Sequence, residues 1–292
     1  MTPIIESKLP NVGTTIFTVM SALAQECQAV NLGQGFPDFA CDPQLVDAVT
    51  AAMQKGLNQY PSMLGVPELR QAVSDKIDRL YGRRYDPGTE ITITAGATQA
   101  IINAVLAVVR EGDEVIVLEP CYDSYIPNID MAGGVAVRVP LTPGTFRPDF
   151  EKIGAAITPR TRAILVNTPH NPSATVWTRE EMRKLEELLA PTNIFLISDE
   201  VYEHLIFDQK EHLSILHYPD LLERSFVCFS FGKVSIFVIT AILRIFFTSF
   251  KILKSPAPIS SFAGRATKTK STSLKFSETT SFSRLPNKVR GL

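Results

Sequence analysis

Several things are scarce in this 292-residue chain, and each scarcity narrows what it can be. There are only four cysteines, Cys27, Cys41, Cys121 and Cys228, with no CxxC pair and no metal-ligand spacing. That excludes a disulfide-rich secreted scaffold and leaves buried free thiols in a reducing compartment as the expectation. The four histidines form no HExxH or paired-ligand pattern, so no zinc or other metal site is expected. The opening residues, MTPIIESKLPNVG, lack an apolar core long enough for a signal peptide. Long apolar runs are also missing, except VSIFVITAILRIFFTSF at 234–250. At 17 residues with Arg244 inside, that run is short and costly for a bilayer span, so a cytoplasmic protein without a membrane partner is expected.

Acidic residues are scarce in one place only. Residues 234–292 carry 10 Lys and Arg against a single acid, Glu278, and contain no Asp, Tyr, Trp or His. Residues 1–233 carry 19 Lys and Arg against 29 Asp and Glu, so the overall net charge of −1 hides an acidic body and a basic tail. At 45% hydrophobic residues the chain can bury a sizeable core, in one large or two ordinary domains. Nothing in the acidic body suggests a nucleic-acid partner.

The body reads as helices alternating with short apolar runs. Helical spacing is present at 14–27, after Pro43 to about Lys55, and after Pro67 to about Leu80. A β-branched strand occupies 90–94, and an apolar helix follows at 100–109. The runs at 114–120, 162–169, 194–200 and 226–230 are continuous rather than alternating, as in strands covered on both faces. Thr178 and Glu181 form a capping-box signature opening a helix to about Leu189. Strands separated by helices predict an α/β layer fold with a mainly parallel sheet, in which ligands bind beyond the carboxyl ends of the strands.

Each strand end carries a group with two readings. Ala97 and Thr98, in AGATQ, are either a tight turn or an anion site at a helix N-terminus. Tyr122 and Tyr125, in EPCYDSY, either close the core or offer a ring for stacking. Asn171, between two prolines in NTPHNP, is either a turn residue or a positioned amide donor. Asp199 is either a helix cap or a buried carboxylate that needs a cationic partner such as a protonated ring nitrogen, with Tyr202 nearby. Lys233, in SFGK, is either a solvated surface residue or a Schiff-base amine. Taken as one set, the second readings share a single ligand, pyridoxal 5′-phosphate.

With NLGQGFPDF at 31–39 and NQYPSMLGVPELR at 58–70, these motifs occur in the order found in class I and II aminotransferases of the fold-type I pyridoxal-phosphate superfamily, which residues 1–233 resemble. The opening motif and HNPSATVW at 170–177 most resemble the kynurenine and glutamine/methionine subgroup. The resemblance implies a three-layer large domain with a mainly parallel sheet. It implies amino-acid and 2-oxo-acid substrates and a homodimer. The amides of Ala97 and Thr98, with Ser230, would hold the phosphate, and Tyr60 would reach the phosphate of the neighbouring subunit. Tyr122 would stack on the ring, Asn171 and Tyr202 would bond its oxygen, and Asp199 would pair with its nitrogen. Lys233 would carry the cofactor and move the proton, and Gly35 would lie beside the substrate carboxylate. A carbon–sulfur lyase, or a relative that binds the cofactor without turnover, would share this set.

Beyond Lys233 the family's T-G-W-[KR]-x-G segment does not follow, and no arginine of the tail is assigned to the substrate carboxylate. The expected organisation is a substrate-side arm at 1–48, a cofactor domain at 49–233 and an atypical basic tail at 234–292, with the C-terminal small domain largely missing. A frameshift, a misread intron or a fused fragment is the expected origin of the tail.

Overall fold

The computed structural model describes residues 6–10, 12–35 and 39–232, and the backbone of 240–244. The chain divides into Met1–Phe250 and Lys251–Leu292, and the second unit lies outside the described residues. The first unit opens with three helices, α1 (Ile16–Glu26), α2 (Pro43–Gln54) and α3 (Pro67–Tyr81). Strands and helices then alternate: β1 (Ile91–Thr94), α4 (Ala97–Val108), β2 (Glu114–Glu119), α5 (Tyr125–Met131), β3 (Val135–Pro140), α6 (Phe150–Ala155) and β4 (Thr161–Asn167). After these come α7 (Arg179–Leu189), β5 (Phe195–Asp199), a 3-10 turn at Ile215–His217, α8 (Pro219–Leu222), β6 (Ser225–Ser230) and β7 (Thr240–Arg244).

The strands form one seven-stranded sheet in the order β1-β7-β6-β5-β4-β2-β3. Pairs β2–β3, β2–β4, β4–β5 and β5–β6 are parallel. Only β7 runs the other way, antiparallel to both β1 and β6, so β1 points the same way as the parallel strands. The carboxyl ends of β1, β2, β4, β5 and β6 therefore share one edge of the sheet.

Alternation along the central strands shows why they are continuously apolar. On β2, Ile116 and Leu118 join one buried cluster while Val115 and Val117 join another. Ile164 and Val166 against Ala163 and Leu165 do the same on β4. The first cluster packs against α3, α6, α7 and α8 through Ile77, Ile153, Leu185 and Leu221. The second packs against α4 and α5 through Ile101 and Ile129. The result is the three-layer α/β/α arrangement with a mainly parallel sheet. Strand β3, at the edge, is largely exposed and ends in Pro140, whose missing N–H costs nothing there.

Local signals shaped the helices as expected, with corrections. In α7, Thr178 and Glu181 make the reciprocal capping box. Helix α4 starts at Ala97, three residues earlier than its apolar run suggests, because Gly96 at φ +91° turns the chain straight from strand to helix. The expectation of buried thiols holds for Cys228 alone: Cys27 is exposed, and Cys41 and Cys121 are partly so. Elements α5, β3, α6 and α8 carry too short a periodic signal to be read from sequence, and β7 falls within the segment taken as a separate tail. Among the described residues no helix is long and apolar enough to cross a membrane.

Candidate active site

Where the strand ends converge there is a cavity of about 300 Å³, at the lower end of the range for small-molecule sites. The turn after β1 supplies one wall. Ala97 and Thr98 line the cavity at the start of α4, where no side chain caps the helix. The first N–H groups of a helix have no intrahelical acceptor, so this wall offers donors and the positive end of a helix dipole. Gln99 instead turns back, its Oε1 accepting the N–H of Ala95 at 2.6 Å.

The segment after β2 supplies Tyr122, whose ring meets Tyr125 edge-on with centroids 5.8 Å apart. Tyr125 is 1% exposed, and its hydroxyl donates to Asp199 Oδ2 at 2.5 Å. Burial first, then the Asp199 charge, holds its hydroxyl well above the ordinary tyrosine range, so it stays protonated as a donor. Asp199 ends β5, is itself buried, and accepts the N–H of Val201 on Oδ1 at 3.3 Å. Among the described residues lining the cavity it is the only charged side chain. A carboxylate in that position favours a cationic atom in the space before it.

Asn167, opposite Asp199 in the β4–β5 register, anchors the next wall. Its Nδ2 donates to the Asp199 carbonyl at 2.8 Å and its Oδ1 accepts the N–H of Asn171 at 2.7 Å. This leaves the Asn171 amide beside the Tyr202 hydroxyl, at 3.4 Å. Burial, and then Asp199, raise Tyr202 above its ordinary range, so it too keeps its proton. Ser230 and Gly232, at the end of β6, complete the lining.

Seven residues to which the resemblance assigns a cofactor role thus meet in one cavity, with Tyr125 beside them: Ala97, Thr98, Tyr122, Asn171, Asp199, Tyr202 and Ser230. Lys233 lies outside the described residues. Gly35 and Tyr60 are not brought to the cavity; both are exposed, Tyr60 completely. Sequence reading missed Asn167 as an anchor and left Tyr125 between two uses. The spacing of Tyr122 and Tyr125, three residues apart in the segment leading into α5, was the available signal for the latter.

This arrangement can hold a flat, monoanionic or dianionic ester against the helix start, a ring against Tyr122, and a protonated ring nitrogen against Asp199. The family described as aminotransferase class I and II matches residues 28–235, most of the chain. The chain belongs to the class I and II aminotransferases. Pyridoxal 5′-phosphate is the cofactor of this family, and the donor set just described suits it: anion donors, an aromatic face, two groups for a ring oxygen and a buried carboxylate.

Among curated relatives, this aminotransferase-family chain is 50% identical over 228 residues to the methionine aminotransferase of Escherichia coli, covering 78% of this chain and 59% of that protein. It is 44% identical over 230 residues to a probable N-succinyldiaminopimelate aminotransferase of Mycobacterium tuberculosis, covering 78% and 58%. The solved structure of the E. coli methionine aminotransferase superposes with a TM-score of 0.80 at 47% identity, covering 83% of this chain and 64% of that one. The aspartate aminotransferase of Thermus thermophilus, solved with maleate, gives 0.75 at 31% identity, covering 83% and 65%. The chain therefore spans about three-fifths of the length of the curated relatives it matches.

Proposed function

We propose that this protein binds pyridoxal 5′-phosphate in the cavity at the strand ends and transfers the amino group of an L-amino acid of methionine, glutamine or aromatic type to a 2-oxo acid. The observation that carries this reading is the convergence of an uncapped helix start, Tyr122, the Asn171–Tyr202 pair and buried Asp199 on one ring-sized space. The Escherichia coli relative's name supports methionine as the first donor to try.

The residues divide the work. Ala97, Thr98 and Ser230 bind the phosphate, the first two through backbone N–H groups at the helix start. Tyr122 orients the ring by stacking. Asn171 and Tyr202 donate to the ring oxygen. Asp199, steadied by Tyr125 and the Val201 amide, holds a proton on the ring nitrogen. The cofactor, when bound, supplies a cationic ring that draws electron density from the substrate Cα–H bond. Lys233 is the amine assigned to anchor the cofactor and to take the Cα proton. Gly35 is placed beside the substrate carboxylate.

Tyr60, wholly exposed, is assigned to the phosphate of a neighbouring copy, which makes the proposed working form a homodimer. A cytoplasmic location belongs to the same reading.

The deciding experiment loads the purified full chain with pyridoxal phosphate, reduces it with borohydride and maps the labelled peptide. Label on Lys233, followed by oxo-acid release from methionine or glutamine, is the expected result. Lys233→Ala must lose the label; label retained at one site would refute the assignment. Ammonia release in place of amino transfer would indicate a lyase, and bound cofactor without turnover would reduce the protein to a cofactor binder. Asp199→Asn removes a charge-assisted contact of about 1.5–3 kcal/mol, so cofactor affinity is expected to fall about 10–100-fold in equilibrium binding.

A further inference from the structure

The turn after β5 uses its polar side chains in two directions. Asp199 and Tyr202 line the cavity, whereas Glu200 and Glu203 are buried against other elements and do not. Glu200 is satisfied within its own neighbourhood: Oε1 accepts Ser198 Oγ at 2.9 Å and the Ile215 N–H at 3.0 Å, and Oε2 meets His212 Nε2 at 2.9 Å. Glu203, the residue next to Tyr202, reaches further. Its Oε2 accepts the Tyr81 hydroxyl at 2.5 Å and its Oε1 pairs with the Lys76 ammonium, both from α3. His204 Nε2 stands 3.6 Å from the same Oε1.

These groups also bear on the end of β6. Lys76 Nζ lies 5.1 Å from the ring centroid of Phe229 and 5.7 Å from that of Phe231, on either side of Ser230. The Tyr81 ring stacks on Phe229 with centroids 6.0 Å apart and planes 27° from parallel. Burial first, then the Glu203 charge, keeps Tyr81 protonated far above its ordinary range, so its donation to Glu203 persists at all working pH values.

A buried ion pair is a poor source of net stability, because desolvating both charges roughly cancels their attraction. What it supplies is direction. A carboxylate held by two donors from one helix fixes the turn that carries it, and with it the neighbouring tyrosine. The Tyr202 hydroxyl lies 3.4 Å from the Asn171 amide, at the cavity end of the same turn.

We propose that Glu203, clasped by Lys76 and Tyr81, is a positioning residue that aims Tyr202 at the cofactor's ring oxygen from outside the cavity. The proposal rests on the reading of Tyr202 as a ring-oxygen ligand.

Its test is a double-variant cycle on the full chain loaded with pyridoxal phosphate: parent, Glu203→Gln, Tyr202→Phe and both together. The readouts are the pH midpoint of the bound cofactor's visible absorption band and the cofactor dissociation constant. A hydroxyl donating to the ring oxygen favours the form in which that oxygen is fully anionic, so losing the donor moves the midpoint up. Glu203→Gln is expected to raise the midpoint by about half a pH unit or more and to weaken binding about 3–10-fold. In the Tyr202→Phe background it is expected to add nothing to the midpoint, because the group it acts through is gone. An equal midpoint shift in both backgrounds, or none in a folded Glu203→Gln protein, overturns the proposal. Should Glu203→Gln fail to fold, Tyr81→Phe removes one donor but keeps the ion pair, and is held to the same criteria at smaller amplitude. A parent that binds no pyridoxal phosphate overturns the cavity assignment and this proposal with it. A parent that binds while the Glu203 substitution is silent overturns only the proposal.

Discussion

The central strands and the first two helices of this protein are built from similar apolar residues, yet they end in opposite environments. Ile116, Ile164 and Leu196 on β2, β4 and β5 are essentially inaccessible, each wedged between the sheet and a covering helix. Ile16, Val19, Met20 and Leu23 on α1, and Val46, Val49 and Met53 on α2, are exposed, and neither helix has a buried residue. What α1 and α2 have in place of packing is local: Thr15 and Asp42 cap their first turns, and Pro43 starts α2. Short helices held only by caps and propensity are marginal in water, so their apolar faces need cover. A second copy in the proposed homodimer would be one such cover. The sheet holds the buried core of the first unit; the amino-terminal helices carry exposed apolar surface.

Substitutions can break this comparison directly. The largest effect is expected in the sheet: Leu196→Ala removes a fully buried side chain and should cost about 2–5 kcal/mol in urea unfolding. A loss under 1 kcal/mol would mean the core is looser than its burial implies. At the junction of the two regions stands Gly65, at φ +98°, where an added Cβ would lie 2.5 Å from Ile93 Cγ1. Gly65→Ala should therefore cost about 1–3 kcal/mol, which thermal unfolding would register.

Next comes a pH effect. Burial lowers the His170 pKa below its ordinary 6.5, with a smaller opposing contribution from a hydrogen bond to the Pro120 backbone. Its imidazole therefore takes up its proton at a lower pH in the fold than in the unfolded chain. The unfolded state binds more protons there, so stability rises with pH up to about 6.5 and is lost as pH falls, by at most ~1.4 kcal/mol per pH unit. Denaturation across pH 5 to 7 should show a shallower slope in His170→Gln than in the parent. The smallest effect belongs to α1: Val19→Ala should change monomer stability by less than about 0.5 kcal/mol. If sedimentation shows that it weakens a dimer instead, the division of labour between the two regions is sharpened.

How far the sequence could be read followed the same division. Continuous apolar runs identified β2, β4, β5 and β6 because strands covered on both faces leave no polar position. β3 escaped notice because an edge strand alternates irregularly, and β7 because its charge environment resembled a different kind of sequence. Of the site, the groups that face the cavity were legible, since strand ends in an α/β sheet are where ligands bind. Those that hold them from behind were not: Asn167 and Glu203 act through partners 32 and 122 or more residues away, and the bond from Tyr125 to Asp199, 74 residues on, was equally out of local reach.

By itself, then, the sequence determined the fold class, the motif order and the residue types that a phosphate-bearing aromatic cofactor requires. Each of these depends on local pattern: burial periodicity, turn chemistry, or a side chain at a strand end. The tertiary structure decided which readings met in one place. It buried the Asp199 carboxylate against the Tyr125 hydroxyl and set the Asn171 amide beside Tyr202. It also left Tyr60 and Gly35 outside that cavity. The physical reason is that pairing, desolvation and exposure are properties of neighbours, and these neighbours are assembled only by the parallel sheet.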